Sequence, residues 1–181
     1  TEHREAFVEP VVFHTPQNFE EWTVQLREAA TTLTQGRKIS GVVSGVPGML
    51  TEEGDVRITP NLPGWHSMPI KRKLEELFSC PAILHNDTAL VGLGEAMYGA
   101  GKGHPIVAYL TISTGVNGVR IVDGAIDHST FGFEIGHTII ENHQDVESLI
   151  GGGAMERRFG MPSHDVHDVA LWEKVNHYAG I

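Results

Sequence analysis

Asn86 and Asp87 stand directly after the apolar run "AIL" of residues 82–84 and His85, and directly before a helix-like stretch that begins near Thr88. An amide and an ionisable carboxylate at this place have two readings. At the C-terminal end of a strand in an open α/β sheet, they lie on the edge where ligands bind. Alternatively, Asp87 caps the following helix, which aspartate does well. A second stretch, "STGVNG" at 113–118, carries glycines that would let backbone amides approach phosphate oxygens, yet the same residues suit an ordinary tight hairpin. A third, "SHDVHDVALWEKVNH", brings His164, Asp165, His167 and Asp168 together. Their spacing is that of a solvated loop and helix cap, not of a metal-ligand set.

The elements that must position these residues follow from periodicity. Thr15 and Pro16 read as an N-cap and first helical residue, followed by Phe19, Trp22, Leu26, Ala29 and Leu33 at helical spacing, with Gly36 as the left-handed cap. "KISGVVSGVPG" reads as a buried strand ending in a Pro-Gly turn, and a hairpin and loop are expected around Gly54. A short amphipathic helix from Pro69, marked by Ile70, Leu74 and Leu77, precedes the buried strand "PAILH". Strands alternating with helices indicate an α/β fold. Beyond the glycine-rich "MYGAGKGHP", residues 106–126 read as antiparallel strands, and 144–178 as helical, with Leu171, Trp172, Val175 and Tyr178 on one face. A boundary at 103–105 divides the chain into an N-terminal α/β lobe, 1–104, and the start of a C-terminal lobe, 105–181, with a cleft expected between them.

Composition narrows the partners. The chain has 181 residues, 40% of them hydrophobic, and a formal net charge of −10 without a Lys/Arg block, so phosphate-driven nucleic-acid binding has no electrostatic basis. No apolar run approaches the roughly 20 residues that span a bilayer, and residues 1–15 lack a signal-peptide layout. The single cysteine, Cys80, fits a reducing compartment, so the expected location is the cytoplasm.

"SGVPGMLTEEGDVRITPNLPGW", "LHNDTALVGLGEAMYGAGKG" and "LTISTGVNGVRIVDGAIDHSTFGFEIGH" occur in this order, and together they resemble the ROK family of bacterial sugar kinases and sugar-responsive repressors. The resemblance spans most of residues 10–180. It implies an α/β fold of the ribonuclease-H-like, actin-like ATPase class, in which two lobes close over a hexose and ATP, with Mg²⁺ accompanying the nucleotide. Asp87 matches the family's catalytic aspartate and Asn86 its hydroxyl-binding asparagine. Gly48 and Asn61 fall at sugar-pocket positions, Glu134 and His137 match residues that hold ring hydroxyls, and Glu147 fits a third sugar-binding glutamate. Thr114 and Gly115 would then serve the nucleotide phosphates. Asn117 and Val119 stand where the family usually has glycines.

Two departures from the family pattern shape the expectations. Zinc-bearing members carry a cysteine-rich loop after Glu-x-Gly-His, and residues 138–147 contain no cysteine, so no structural zinc is expected. The Asp-x-Gly-Gly-Thr phosphate motif and the later adenosine-binding segment are missing from residues 1–181, as in a fragment incomplete at both ends or a degenerate member. The reading is therefore an ATP-dependent hexose kinase of glucokinase type, a phosphotransferase with Asp87 as base, the activity of the isolated chain being doubtful. The competing readings are a non-catalytic sugar-sensing repressor, although nothing near Thr1 resembles a helix-turn-helix, and an inactive sugar-binding fragment. The resemblance also suggests a homodimer.

Overall fold

Asn18 opens the first helix. Its side-chain oxygen accepts the Glu21 N–H at 3.0 Å, and α1 follows over Phe19–Thr34. The cap is thus Asn18 and not Thr15, because the backbone before it is held elsewhere: the Pro16 carbonyl accepts the indole N–H of Trp65 at 3.0 Å. Gln35, at φ 51°, supplies the left-handed cap one residue before Gly36. This computed structural model describes residues 9–51, 53–59, 62–127 and 135–179. Contacts divide the chain into two units between Asp87 and Thr88.

In the first unit, β1 (Val42–Val46) leads into a hairpin of β2 (Met49–Leu50) and β3 (Val56–Ile58) around Gly54. A crossover through α2 (Ile70–Phe78) then brings β4 (Ala82–Asn86) parallel to β1. Phe19, Trp22, Val46, Val56, Trp65, Ile70, Leu74 and Ala82 form the core. Helix α2 docks through Ile70 and Leu74, one turn apart on a single face. The Trp65 ring lies 4.7 Å from that of Trp22 and 5.6 Å from that of Phe19, and is only 3% exposed. The sequence reads both β1 and β4 as buried strands. In fact one face only is covered, and on the other Val43 and Ile83 are 66% and 56% exposed.

Helix α3 (Asp87–Tyr98) follows β4 without a loop. Within the second unit its Ala89 and Ala96 pack with Val119 and Ile121 of β6 (Val116–Val122), which pairs antiparallel with β5 (Ile106–Ile112) and β7 (Ala125–Ile126). That packing places the division at 87/88, whereas the sequence reading sets it at 104/105 beyond the glycine-rich stretch. Residues 144–178 are not helical throughout. A hairpin of β8 (Ile139–Glu141) and β9 (Gln144–Asp145) precedes α4 (Val146–Ile150), α5 (Gly152–Phe159) and α6 (Val169–Ala179). Val116, Leu149, Ile150, Met155 and Val175 form their core, with Leu171, Trp172 and Tyr178 of α6 packed against it as the periodicity indicated. Asp168 Oδ1 accepts the Leu171 N–H at 3.2 Å, so the histidine-rich stretch does end in a helix cap.

Gly48 joins β1 to β2 at φ +89°, a conformation costly to other residues, and an added Cβ would collide with the Ile58 carbonyl. Gly48→Ala should destabilise the protein by about 2 kcal/mol in urea unfolding. Unchanged stability would show that the β2–β3 connection yields.

Candidate functional site

The parallel register sets Val46 beside Asn86, so both strands finish at the same edge. The turn that leaves β1 and the helix that leaves β4 therefore start side by side. There the Asn86 amide donates to the Gly48 carbonyl at 3.1 Å. Asn86 is half-buried and Asp87, the first residue of α3, is exposed. The helical start at Asp87 places its carboxylate in the first turn, where the helix dipole favours negative charge. Gly48, Asn86 and Asp87 thus meet at one strand edge. Asn61 lies outside the described residues.

The second unit brings together a different set. Ser113, Thr114 and Gly115 form the link between β5 and β6, so the turn is shorter than the "STGVNG" stretch suggested. Asn117 and Val119 lie in β6, paired with Thr111 and Tyr109, and need no left-handed backbone. The turn is fastened on two sides. Its Ser113 and Thr114 carbonyls accept N–H bonds from Gly152 and Gly153 at 2.7 and 2.8 Å. On the other side, Glu147 Oε2 accepts the Val116 N–H at 2.9 Å. A Cβ on Gly152 would lie 2.6 Å from the Ser113 carbonyl oxygen, so the glycine run at the start of α5 is what permits this approach. A cavity of about 300 Å³ opens beside the turn, lined by Thr114, Gly153, Met155, Glu156 and Trp172 among others.

His137 is placed by a residue that the sequence reading did not single out. Asn142 and His143, at φ 48° and 63°, make the two-residue turn of the β8–β9 hairpin, and the register sets Asp145 opposite Ile139. Asp145 then uses both carboxylate oxygens. Oδ1 accepts the Ser148 N–H at 2.8 Å, capping α4, and Oδ2 lies 3.2 Å from His137 Nδ1. The Ser148 bonds first, and the His137 contact second, pull the Asp145 carboxyl from 3.8 down to about 2. The available signals were the Asn-His doublet between extended residues and an Asp three residues before Ser148. Glu134 lies outside the described residues. Among the described residues, no group of three or more His, Cys, Asp or Glu is placed to hold a metal ion.

Residues 3–175 match the ROK family. The chain belongs to that family. Among its relatives, the glucokinase of Thermotoga maritima is 32% identical over 120 residues, covering 65% of this chain and 38% of that protein. A xylose repressor of Caldicellulosiruptor bescii is 33% identical over 122 residues, covering 65% of this chain and 30% of the repressor. Of solved structures, the ROK hexokinase of Thermus thermophilus superposes with a TM-score of 0.76 at 29% identity, covering 94% of this chain and 66% of that one. A ROK glucokinase of Streptomyces griseus, in complex with glucose and AMPPNP, gives 0.67 at 26% identity over 79% of this chain and 49% of its own. The chain thus spans less than two thirds of the length of these relatives. Its fold class is the α/β, actin-like ATPase fold of the ROK sugar kinases.

The lowered Asp145 carboxyl has a consequence for stability. It stays ionised in the folded protein at pH values where the unfolded chain takes up a proton, so its stabilisation is full above about pH 4 and is lost as pH falls toward about 2. Asp145→Asn retains a capping oxygen but cannot ionise. The stability difference between wild type and this variant, measured by urea unfolding, should therefore be widest above about pH 4 and close toward pH 2. A difference independent of pH would contradict this role.

Proposed function

We propose that this chain carries the hydroxyl-activating residues of an ATP-dependent hexose kinase of glucokinase type, with Asp87 as the catalytic base. The observation that carries the reading is the shared end of β1 and β4. There the Asn86 side chain is braced on the Gly48 carbonyl immediately before the exposed Asp87. Family membership and the glucokinase and hexokinase relatives support it. Hexose hydroxyls both donate and accept, so an amide, an imidazole and carboxylates can discriminate them. Asn86 and Asp87, with Gly48, Asn61, Glu134, His137 and Glu147, make the proposed hexose set.

Phosphoryl transfer depends mainly on holding the attacking hydroxyl in line with the γ-phosphate and on stabilising the developing charge. Asp87 orients that hydroxyl. An ordinary aspartate is far too weak a base to form free alkoxide, so the proton moves to it late. As the new oxygen–phosphorus bond forms and the bond to the departing ADP breaks, the hydroxyl becomes acidic enough to give up its proton. The turn at Thr114 and Gly115, fastened by Glu147 and by the start of α5, is the proposed phosphate contact, and the cavity beside it supports a nucleotide there. Binding of an ATP analogue by the Streptomyces griseus relative is consistent with that use. In kinase sites Mg²⁺ is held largely through substrate phosphates, so it would accompany the nucleotide and neutralise its charge.

The xylose repressors among the relatives favour a second reading, in which the same residues bind sugar without phosphorylating it. Asp87→Asn separates the two. In the full-length protein the variant should lose at least about 10²-fold in turnover, because asparagine is nearly isosteric but not basic. Its hexose affinity should stay within about tenfold, since the amide oxygen still accepts a hydroxyl hydrogen bond. Near-normal turnover would remove Asp87 from the chemistry. Sugar binding without turnover in the wild type would favour the sensor.

A further inference from the structure

Asp145 links helix α4 directly to the His137 ring, beside the Val146 N–H bond to the Thr138 carbonyl at 3.1 Å. One carboxylate oxygen belongs to α4, through the Ser148 N–H at 2.8 Å, and the Ser148 hydroxyl returns a bond to the Asp145 carbonyl at 2.9 Å. The other faces His137 Nδ1 at 3.2 Å, with the Asp145 side chain 26% exposed and that of His137 65% exposed. The carboxylate is thus the more enclosed partner and the imidazole the more exposed one. An acceptor-only carboxylate requires the hydrogen to be on Nδ1, which in the neutral ring leaves Nε2 as the acceptor atom.

We propose that Asp145 is a positioning residue for hexose binding, holding His137 in the Nδ1–H tautomer so that Nε2 accepts a hydrogen bond from a sugar hydroxyl. The proposal rests on the hexose reading above and adds to it the atom of His137 that meets the sugar. A hydroxyl is directional: an imidazole that offers a donor where an acceptor is required leaves the pair mismatched, and such mismatches discriminate strongly. Asp145 also ties this ring to the helix whose Glu147 accepts the Val116 N–H, so one short helix fixes both His137 and the end of the Thr114–Gly115 turn.

Two substitutions retain the helix cap while changing what His137 meets. Asp145→Asn keeps one oxygen for the Ser148 N–H and turns an amide N–H toward His137, which favours hydrogen on Nε2. Asp145→Ser is also a good cap but has no second acceptor. Long-range ¹H–¹⁵N spectra of the neutral imidazoles, with His137 assigned by loss of its signals in His137→Gln, should show Nδ1–H in the wild type. Both variants should shift toward Nε2–H, with thermal unfolding showing them still folded. In calorimetry on the full-length protein, D-glucose should bind at least about tenfold more weakly to both variants. A purely structural cap predicts that neither the tautomer nor glucose affinity changes, and that result would overturn the proposal. So would an inverted tautomer with unaltered glucose affinity. No glucose binding by the wild type would overturn the hexose reading together with this role, whereas intact binding with an unmoved tautomer overturns the positioning role alone.

Discussion

The parallel pairing of β1 with β4 is the constraint on which the first unit depends. Parallel strands need a crossover, and here residues 47–81 provide it through the β2–β3 hairpin and α2. Because the strands run the same way, both C-terminal ends fall on one edge. A register that pairs Val46 with Asn86 then puts the Gly48 carbonyl within reach of the Asn86 amide. Burial of Val46, Ala82, Ile70 and Leu74 against the Phe19, Trp22 and Trp65 rings holds that register. Slipping it by one residue would move the apolar set to the other face.

The second unit solves its positioning problem with polar bonds at short range. The β5–β6 link closes on itself through the Ser113 N–H and the Gly115 carbonyl, while the start of α5 holds its Ser113 and Thr114 carbonyls and Glu147 holds the first N–H of β6. Helix α4, five residues long, could not persist alone. Its Leu149 and Ile150 are buried, and Asp145 caps it, so it serves as a rigid seat for two carboxylates aimed at different partners. Each such charge-assisted bond is worth more than a neutral one, and each also fixes the direction of a neighbouring group.

The segment after His137 is compact. Asn142 and His143 turn the chain in two left-handed residues, and asparagine is among the residues that tolerate this conformation best. The short hairpin brings Asp145 back to His137. In this chain a carboxylate therefore meets the imidazole through the hairpin's register, with no cysteine in the intervening residues.

Much of this was legible in the residues themselves. The apolar period of α1, α2 and α6, the alternation of strands and helices, and the Asn86–Asp87 doublet at a strand end are local patterns, and local patterns follow from the 3.6- and 2-residue repeats of the backbone. The ordered motifs likewise pointed to the ROK family, which the match over residues 3–175 bears out. What local pattern could not supply was partnership. Asn18 displaced Thr15 as the cap because Pro16 is tied to Trp65, 49 residues away, which is buried in the core. The division at 87/88 reflects α3 packing on β6, a contact between segments roughly 30 residues apart. The pairing of Asp145 with His137 depends on the register of the β8–β9 hairpin, and that of Glu147 with Val116 spans 31 residues. Sequence alone determined which side chains could cap, bury or accept a proton. Tertiary structure decided which of them meet, because chain-distant contacts depend on packing and strand register that no short window of residues contains.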